Sequence, residues 1–368
     1  MKKTYIHSIG TANPTYQIPQ QKTADFMAKF LNLDPVESRK LRMLYRATAI
    51  DHRYSVIEDY AKTEDFNFYS EQASDPFPST AQRMQQYERH AGKLAQKAVE
   101  DCLPVDFPMQ EITHLITMSC TGMYAPGLDI EMVERLELKK SVQRTCINFM
   151  GCYAAFNALK AADAICRSTP NAKVLVIGVE LCTLHFQKST NNDDLVANAI
   201  FADGAAAVLL QGYPPSQKAL SLEGFYCDLE PDGKQDMAWH IKDYGFEMKL
   251  SSYVPQLLEG KLKSLVARLL QNYNLQMSDI ELFAIHPGGR RILERIEHSL
   301  NIPRKANSPA YEVLRQYGNM SSVTVLFVLK NLLSTLNWEH HDQRILSMAF
   351  GPGLTLESAL LQVFCPDD

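Results

Sequence analysis

Short runs of consecutive apolar residues alternate along this chain with longer stretches of helical period. "KVLVIGVEL" (173–181) and "AAAVLLQ" (205–211) are mostly apolar runs of strand length. Such runs predict strands covered on both faces. "VPQLLEGKLKSLVARLLQNY" (254–273) has apolar residues at steps of three and four, which predicts an amphipathic helix. The alternation of the two patterns predicts an α/β fold. Residues Ile57 to Ala81 are polar and acidic, contain "SDPFPS", and predict a covering loop. "GYPPSQKA" (212–219) is rich in turn formers and is the best seam, dividing the chain into halves 1–212 and 213–368.

The halves echo each other. "EITHLITMSCTG" matches "DIELFAIHPGG", and "NFMGCYAAFNALKAADAI" matches "QYGNMSSVTVLFVLKNLL". "KVLVIGVE" pairs with "RILSMAFG", and "IFADGAAAVLLQ" with "AFGPGLTLESALLQ". Each pair alone is weak, but four pairs in one order predict an internally duplicated fold. Equivalent positions would then meet near a pseudo-two-fold axis.

Charge and composition narrow the function. With 37 Lys and Arg against 42 Asp and Glu, the net charge is −5. This argues against a general nucleic-acid binder, yet leaves room for a local basic patch on an anionic substrate. No apolar stretch follows the lysines at positions 2 and 3, so no secretory signal is expected. The longest apolar run, "VTVLFVL" before Lys330, is far shorter than the roughly 18–20 residues of a membrane span. The expectation is a soluble, cytoplasmic protein. Its eight cysteines form no CxxC, which predicts reduced thiols and no zinc site.

Three residues mark junctions between an extended run and a turn or helix. Cys152 follows "CINFMG" and is expected to open a helix. His286 ends "LFAI" before "PGGRRILERIEHSL". Asn319 follows "QYG" and is expected to open the helix "MSSVTVLFVLKNLL". Ligands of open α/β sheets gather at the carboxyl ends of strands, so all three can share one pocket. A helix N-terminus favours a thiolate, and a histidine can accept its proton to give a thiolate–imidazolium pair. Asn with His can hold a developing oxyanion, worth about 2.7–4 kcal/mol per donor. The set suits acyl transfer; core packing, a structural His and a capping Asn are the plain alternatives.

At these residues the sequence resembles the type III polyketide synthases, the chalcone synthase-like branch of the thiolase superfamily. The carriers are "MGCYAAFNALKAA", "FADGAAAVLL", "HPGGRRILERIE", "YGNMSSVTVLFVL" and "AFGPGLTLES", in order over most of the chain. The resemblance implies a thiolase-like, internally duplicated five-layer αβαβα fold. It implies Cys152 as the nucleophile carrying the acyl chain, with His286 as its proton partner. His286 and Asn319 would polarise the malonyl thioester carbonyl during decarboxylation. The substrates would be malonyl-CoA and an acyl-CoA starter, used directly, with no carrier protein, metal or redox cofactor, in a homodimer.

Arg39, Arg42 and Arg46 in "ESRKLRMLYRATAI" fall on one helix face. The resemblance assigns them coenzyme A phosphates, against the plainer reading of a solvated basic face. Phe201 matches a gatekeeper phenylalanine, and Met248 stands where plant members carry a second one. His185 and Trp239 replace small residues of plant members and would narrow the cavity. Ala125 replaces a methionine that would reach into the partner's cavity. These departures point to bacterial-type products: small resorcinols, phloroglucinols or pyrones. A β-ketoacyl synthase III-like enzyme with one condensation is the nearest alternative. A non-catalytic thiolase-fold binding protein and a cysteine hydrolase are the others.

Overall fold

The apolar runs become the middle of a nine-stranded sheet. The computed structural model describes residues 3–70, 75–234, 236–250 and 254–366, so residues 71–74 of the expected covering loop lie outside the described residues. The first half runs β1 (Thr4–Ala12), β2 (Tyr16–Pro19), α1 (Gln20–Phe30), α2 (Pro35–Ala47), β3 (His52–Ser55), α3 (Thr80–Cys102), β4 (His114–Ser119), α4 (Leu128–Arg135), β5 (Gln143–Asn148), α5 (Ala154–Ser168), β6 (Lys173–Leu181), α6 (Asn192–Ile200) and β7 (Asp203–Gln211). The second runs β8 (Ala219–Leu229), β9 (Met237–Lys242), β10 (Gly245–Leu250), α7 (Val254–Asn272), β11 (Leu282–Ile285), α8 (Arg290–Leu300), α9 (Ser308–Tyr317), α10 (Thr324–Thr335), β12 (Arg344–Gly351) and β13 (Thr355–Phe364).

The sheet order is β11-β12-β13-β8-β1-β7-β6-β4-β5. The halves join where β1 meets β8 antiparallel, with Tyr5 opposite Ser221. Outward from that seam, each half repeats one order and one set of directions. β7 and β13 are antiparallel to their neighbours, while β4 with β6 and β11 with β12 are parallel. The duplication read from the sequence is therefore the symmetry of the sheet. Beyond β4 the first half adds β5; the matching stretch before α10 makes one isolated bridge, Asn319 with Phe201.

Two helices fill the space between the halves. α5 packs on β4, β6 and β7 but also on β13, and α10 packs on β1 and β7 but also on β11. Outside them lie α3 against β1, β6 and β7, and α7 against β8 and β13. This is the five-layer αβαβα arrangement. An inner helix must be apolar nearly all round. "VTVLFVL" meets that need: Thr324 to Leu329 are all buried in α10. α5 meets it with small side chains, burying Ala154, Ala155, Ala158 and Ala162 beside Phe156 and Leu159. Among the described residues, no helix is long and apolar enough to cross a membrane.

Candidate active site

Both inner helices begin at one cavity. β5 ends at Asn148, and the chain turns through Phe149 and Gly151, both at positive φ, before α5 starts at Ala154. Cys152 thus sits two residues ahead of the helix rather than opening it. Gly151 is held by its N–H to Cys120 Sγ at 2.9 Å and caps the turn by accepting from Ala154 N at 3.0 Å. His286 follows β11, its N–H still on the ladder to Met348 O at 2.8 Å. Asn319 is fixed from both sides: its N–H donates to Ile200 O at 2.8 Å, and its carbonyl accepts from Ala202 N at 2.9 Å. Asn319 also does not open α10 directly. Its Oδ1 accepts from Ser321 N at 2.9 Å, which winds Ser321–Val323 into a short 3-10 turn first.

Cys152, His286 and Asn319 line this cavity together with Phe201, Trp239, Met248, Phe350 and Pro352. All three are buried, at 7%, 1% and 2% exposure, although they come from distant parts of the sequence. Cys152 Sγ lies 3.8 Å from Ser321 Oγ. Asn319 Nδ2 donates to Gly288 O at 3.3 Å, leaving its second hydrogen for a ligand. Neither ring nitrogen of His286 has a partner, although the ring is buried. A buried imidazole with both nitrogens unmet is costly unless something else comes to meet it.

Burial also sets the charges. It pushes the Cys152 thiol up to about 12, a shift that hydrogen bonds from Ser321 and Asn319 oppose and the Glu180 charge assists. It pulls His286 down to about 3. Burial on its own therefore favours a neutral thiol and a neutral imidazole over the ion pair expected from the helix start. Low dielectric outweighs the helix end here.

A second cavity adjoins the first and shares Cys182, Phe201, Trp239 and Met248 with it. Trp239 and Met248 face each other across the β9–β10 hairpin and form the wall between the two. His185 lines only the second cavity. It is locked in place: Nε2 lies 2.7 Å from Thr121 O, Nδ1 accepts from Phe246 N at 2.9 Å, and the ring stacks on Phe246 at 4.2 Å. Its partners fix the Nε2–H tautomer, and burial lowers it to about 3. Trp239 Nε1 donates to Cys120 O at 2.8 Å. Arg39, Arg42 and Arg46 stand exposed on α2, outside both cavities, with Arg42 Nε 2.7 Å from Asp25 Oδ1. Ala125 lies in a separate cleft with Met123, Tyr124 and Pro126.

With this geometry in hand, comparison with known proteins is decisive. The family model of chalcone and stilbene synthases matches in two parts, the N-terminal domain over residues 2–214 and the C-terminal domain over residues 225–365. The chain belongs to the chalcone and stilbene synthase family. It is similar to the α-pyrone synthesis polyketide synthase-like Pks18 of Mycobacterium tuberculosis, at 30% identity over 97% of this chain and 91% of that protein. It is 29% identical to the probable polyketide synthase 1 of Dictyostelium discoideum over 98% of this chain, but spans only 11% of that protein's length. Among solved structures it resembles the C-terminal type III polyketide synthase domain of Steely1, a type I/III hybrid from Dictyostelium. That likeness has a TM-score of 0.88 at 28% identity, covering 98% of this chain and 99% of that one. The chain is thus a type III polyketide synthase, an acyltransferase with a thiolase-like fold.

The site also holds residues that the sequence reading missed. Glu180 is fully buried, and its charge acts on the Cys152 thiol. It accepts from Cys120 N at 3.0 Å, Thr121 Oγ1 at 2.8 Å and the Ser322 hydroxyl. Burial raises its carboxyl against these three donors. The signal was visible: a lone carboxylate, Glu180, near the end of the otherwise apolar stretch of "KVLVIGVEL". Such a residue must be satisfied internally. Cys120 and Cys182 also line the catalytic cavity, and all eight cysteines are free thiols.

Proposed function

We propose that Cys152 attacks an acyl-CoA starter to form an acyl-thioester and that His286 takes the thiol proton as coenzyme A leaves. His286 and Asn319 then hold the thioester carbonyl oxygen of malonyl-CoA while it loses carbon dioxide. The resulting enolate attacks the Cys152 thioester and lengthens the chain by two carbons. The chain returns to Cys152 for further rounds and is released by cyclisation as a small aromatic of the resorcinol or phloroglucinol type, or as a pyrone. One observation carries this reading: a buried thiol, an imidazole with both nitrogens unmet and a half-free amide share one cavity. Burial raises the Cys152 thiol and lowers His286, which supports proton transfer to His286 during the attack.

Phe201, Met248, Trp239 and His185 are assigned to the walls that shape starter and product. Wide sites build long chains, and the Trp239 and His185 rings support short ones. The similarity to Pks18, named for α-pyrone synthesis, favours a pyrone. Arg39, Arg42 and Arg46 are assigned to the coenzyme A phosphates; their shared exposed face supports this. The scheme needs coenzyme A thioesters but no metal, redox cofactor or carrier protein. Free thiols fit a reducing cytoplasm. The exposed β5 at the sheet edge fits a homodimer.

The test is to incubate the protein with a panel of acyl-CoA starters and isotopically labelled malonyl-CoA, and to identify products by mass spectrometry. Pyrones or resorcinols holding two or more labelled units are expected. Single-extension products made only with a carrier protein would replace this reading with the β-ketoacyl synthase one.

A further inference from the structure

Behind the wall formed by Trp239 and Met248 lies a second layer that no catalytic step uses. Arg83, in the first turn of α3, is completely buried. Its acceptors are all backbone carbonyls: Nε donates to Pro78 O at 2.8 Å, and one terminal nitrogen donates to Leu184 O and, at 3.0 Å, to Phe186 O. The guanidinium thus ties the start of α3 to the segment carrying His185. The β9–β10 turn rests directly on it. Gly245 has φ +101°, and a Cβ there would meet Arg83 Cδ, Nε and Cζ at 2.9 to 3.1 Å.

The same helix start grips the turn from the side. Thr80 N donates to Asp243 O at 2.8 Å, and Thr80 Oγ1 accepts from Gly245 N at 2.8 Å while donating to Lys242 O. Gln187 Nε2 adds contacts to Tyr244 O at 3.3 Å and Phe246 O at 3.1 Å. A two-stranded hairpin has little stability of its own. Beside Trp239 Nε1 on Cys120 O and Phe246 N on His185 Nδ1, these ties hold its turn in place, and with it the Trp239–Met248 pair. Burying a cation among carbonyls is expensive when an apolar side chain would fill the space. What an apolar residue could not do is bond the Pro78, Leu184 and Phe186 carbonyls at once through a rigid planar group.

We propose that Arg83 and Thr80 are positioning residues that fix the β9–β10 hairpin against the catalytic cavity and thereby set which starter is accepted and how many extensions precede release. The inference rests on the condensing role of the site. It acts on the wall alone, because neither residue lines the cavity that holds Cys152, His286 and Asn319.

The experiment compares Thr80→Val and Arg83→Met with the wild type in three readouts: malonyl-CoA decarboxylation without starter, KM for each acyl-CoA starter, and the ratio of products by extension number. Decarboxylation is expected to stay within about twofold, while starter preference and product ratio move by roughly tenfold, the lower end of what small pocket changes discriminate. Leu265→Ala, a core truncation in α7 away from the hairpin, serves as a control and should lower thermal stability without moving the ratio. If Arg83→Met does not fold, Thr80→Val carries the test, since it removes one hydroxyl from an incompletely buried site. Unchanged product ratios and starter KM in the folded variants would overturn the inference while leaving the condensing reading intact. Absence of any condensation product from the wild type would overturn the condensing reading, and this inference with it.

Discussion

Gly151 and Pro352 touch across the two halves of the fold, so closely that a Cβ on Gly151 would lie 2.3 Å from Pro352 Cδ. Gly151 also has φ +85°, a conformation other residues avoid. The turn that presents Cys152 is therefore pressed against the loop after β12. Gly151→Ala must move one of them. The expected outcome is a loss of about 2–4 kcal/mol from strain and overpacking, seen as a lower thermal midpoint, with condensation falling more steeply than stability explains. A variant of wild-type activity would mean that the turn and the loop yield freely.

The proposed division of labour separates the three catalytic candidates. Only Cys152 carries acyl groups, so Cys152→Ala is expected to abolish polyketide formation yet still release carbon dioxide from malonyl-CoA. His286→Ala and Asn319→Ala remove the hold on the developing enolate. Each should slow decarboxylation about 10²–10³-fold, the usual cost of losing one such donor. Decarboxylation assays on the three purified variants decide this. Loss of decarboxylation in Cys152→Ala equal to that in His286→Ala would refute the assignment.

How much of this was legible depends on how local each signal was. Cys152, His286 and Asn319 could be read because each stands where a strand pattern breaks and because the duplication put Cys152 and Asn319 in matching slots. The strand order itself was not read, but the repeat of β4 in β11 and of β6 in β12 matches the duplication that was. The neutral state of Cys152 and His286 was not legible, since it arises from burial by both halves at once. The pairing of Trp239 with Met248 was equally hidden: β9 and β10 are short and their outer residues exposed, so no periodicity marks them. Arg83 looks like any surface residue in "STAQRMQQYERH". The hairpin turn and the 184–186 segment close over it, and both come from far along the chain. The covering segment likewise gave no period, because its order comes from a cluster of separated rings, Phe26, Tyr60, Tyr69 and Phe77 among them.

The basic face of α2 should act on binding alone. Arg39, Arg42 and Arg46 are exposed, and Arg42 pairs with the exposed Asp25, which holds it weakly. Replacing all three by Gln is expected to raise KM for coenzyme A thioesters about tenfold at low salt, with kcat unchanged, and to flatten the dependence of KM on ionic strength. Measuring KM in 20 and 300 mM salt, each roughly bracketing the screening regime, tests both parts. An unchanged salt dependence would return the three arginines to the status of a solvated helix face.

His185 offers a test through pH. Its folded value, about 3, lies below the ordinary 6.5 because the buried ring is held neutral between Thr121 O and Phe246 N. As pH falls below 6.5 the unfolded chain takes up a proton that the folded chain refuses. The stability associated with neutral His185 is thus complete above pH 6.5 and is lost progressively toward pH 3, by roughly 1.4 kcal/mol per pH unit for one proton. Asp203 works in the other direction, since burial pushes its carboxyl up to about 7 and the folded state gains that proton first. The wild-type profile alone is therefore a partial cancellation. His185→Gln keeps a donor for Thr121 O and an acceptor for Phe246 N but cannot titrate. Subtracting its denaturation profile from that of the wild type between pH 6.5 and 4 should leave a slope of about one proton, with the wild type losing stability faster on acidification. Parallel profiles would show that His185 is already protonated, or free to become so, inside the fold, and would remove it as the fixed wall of the second cavity.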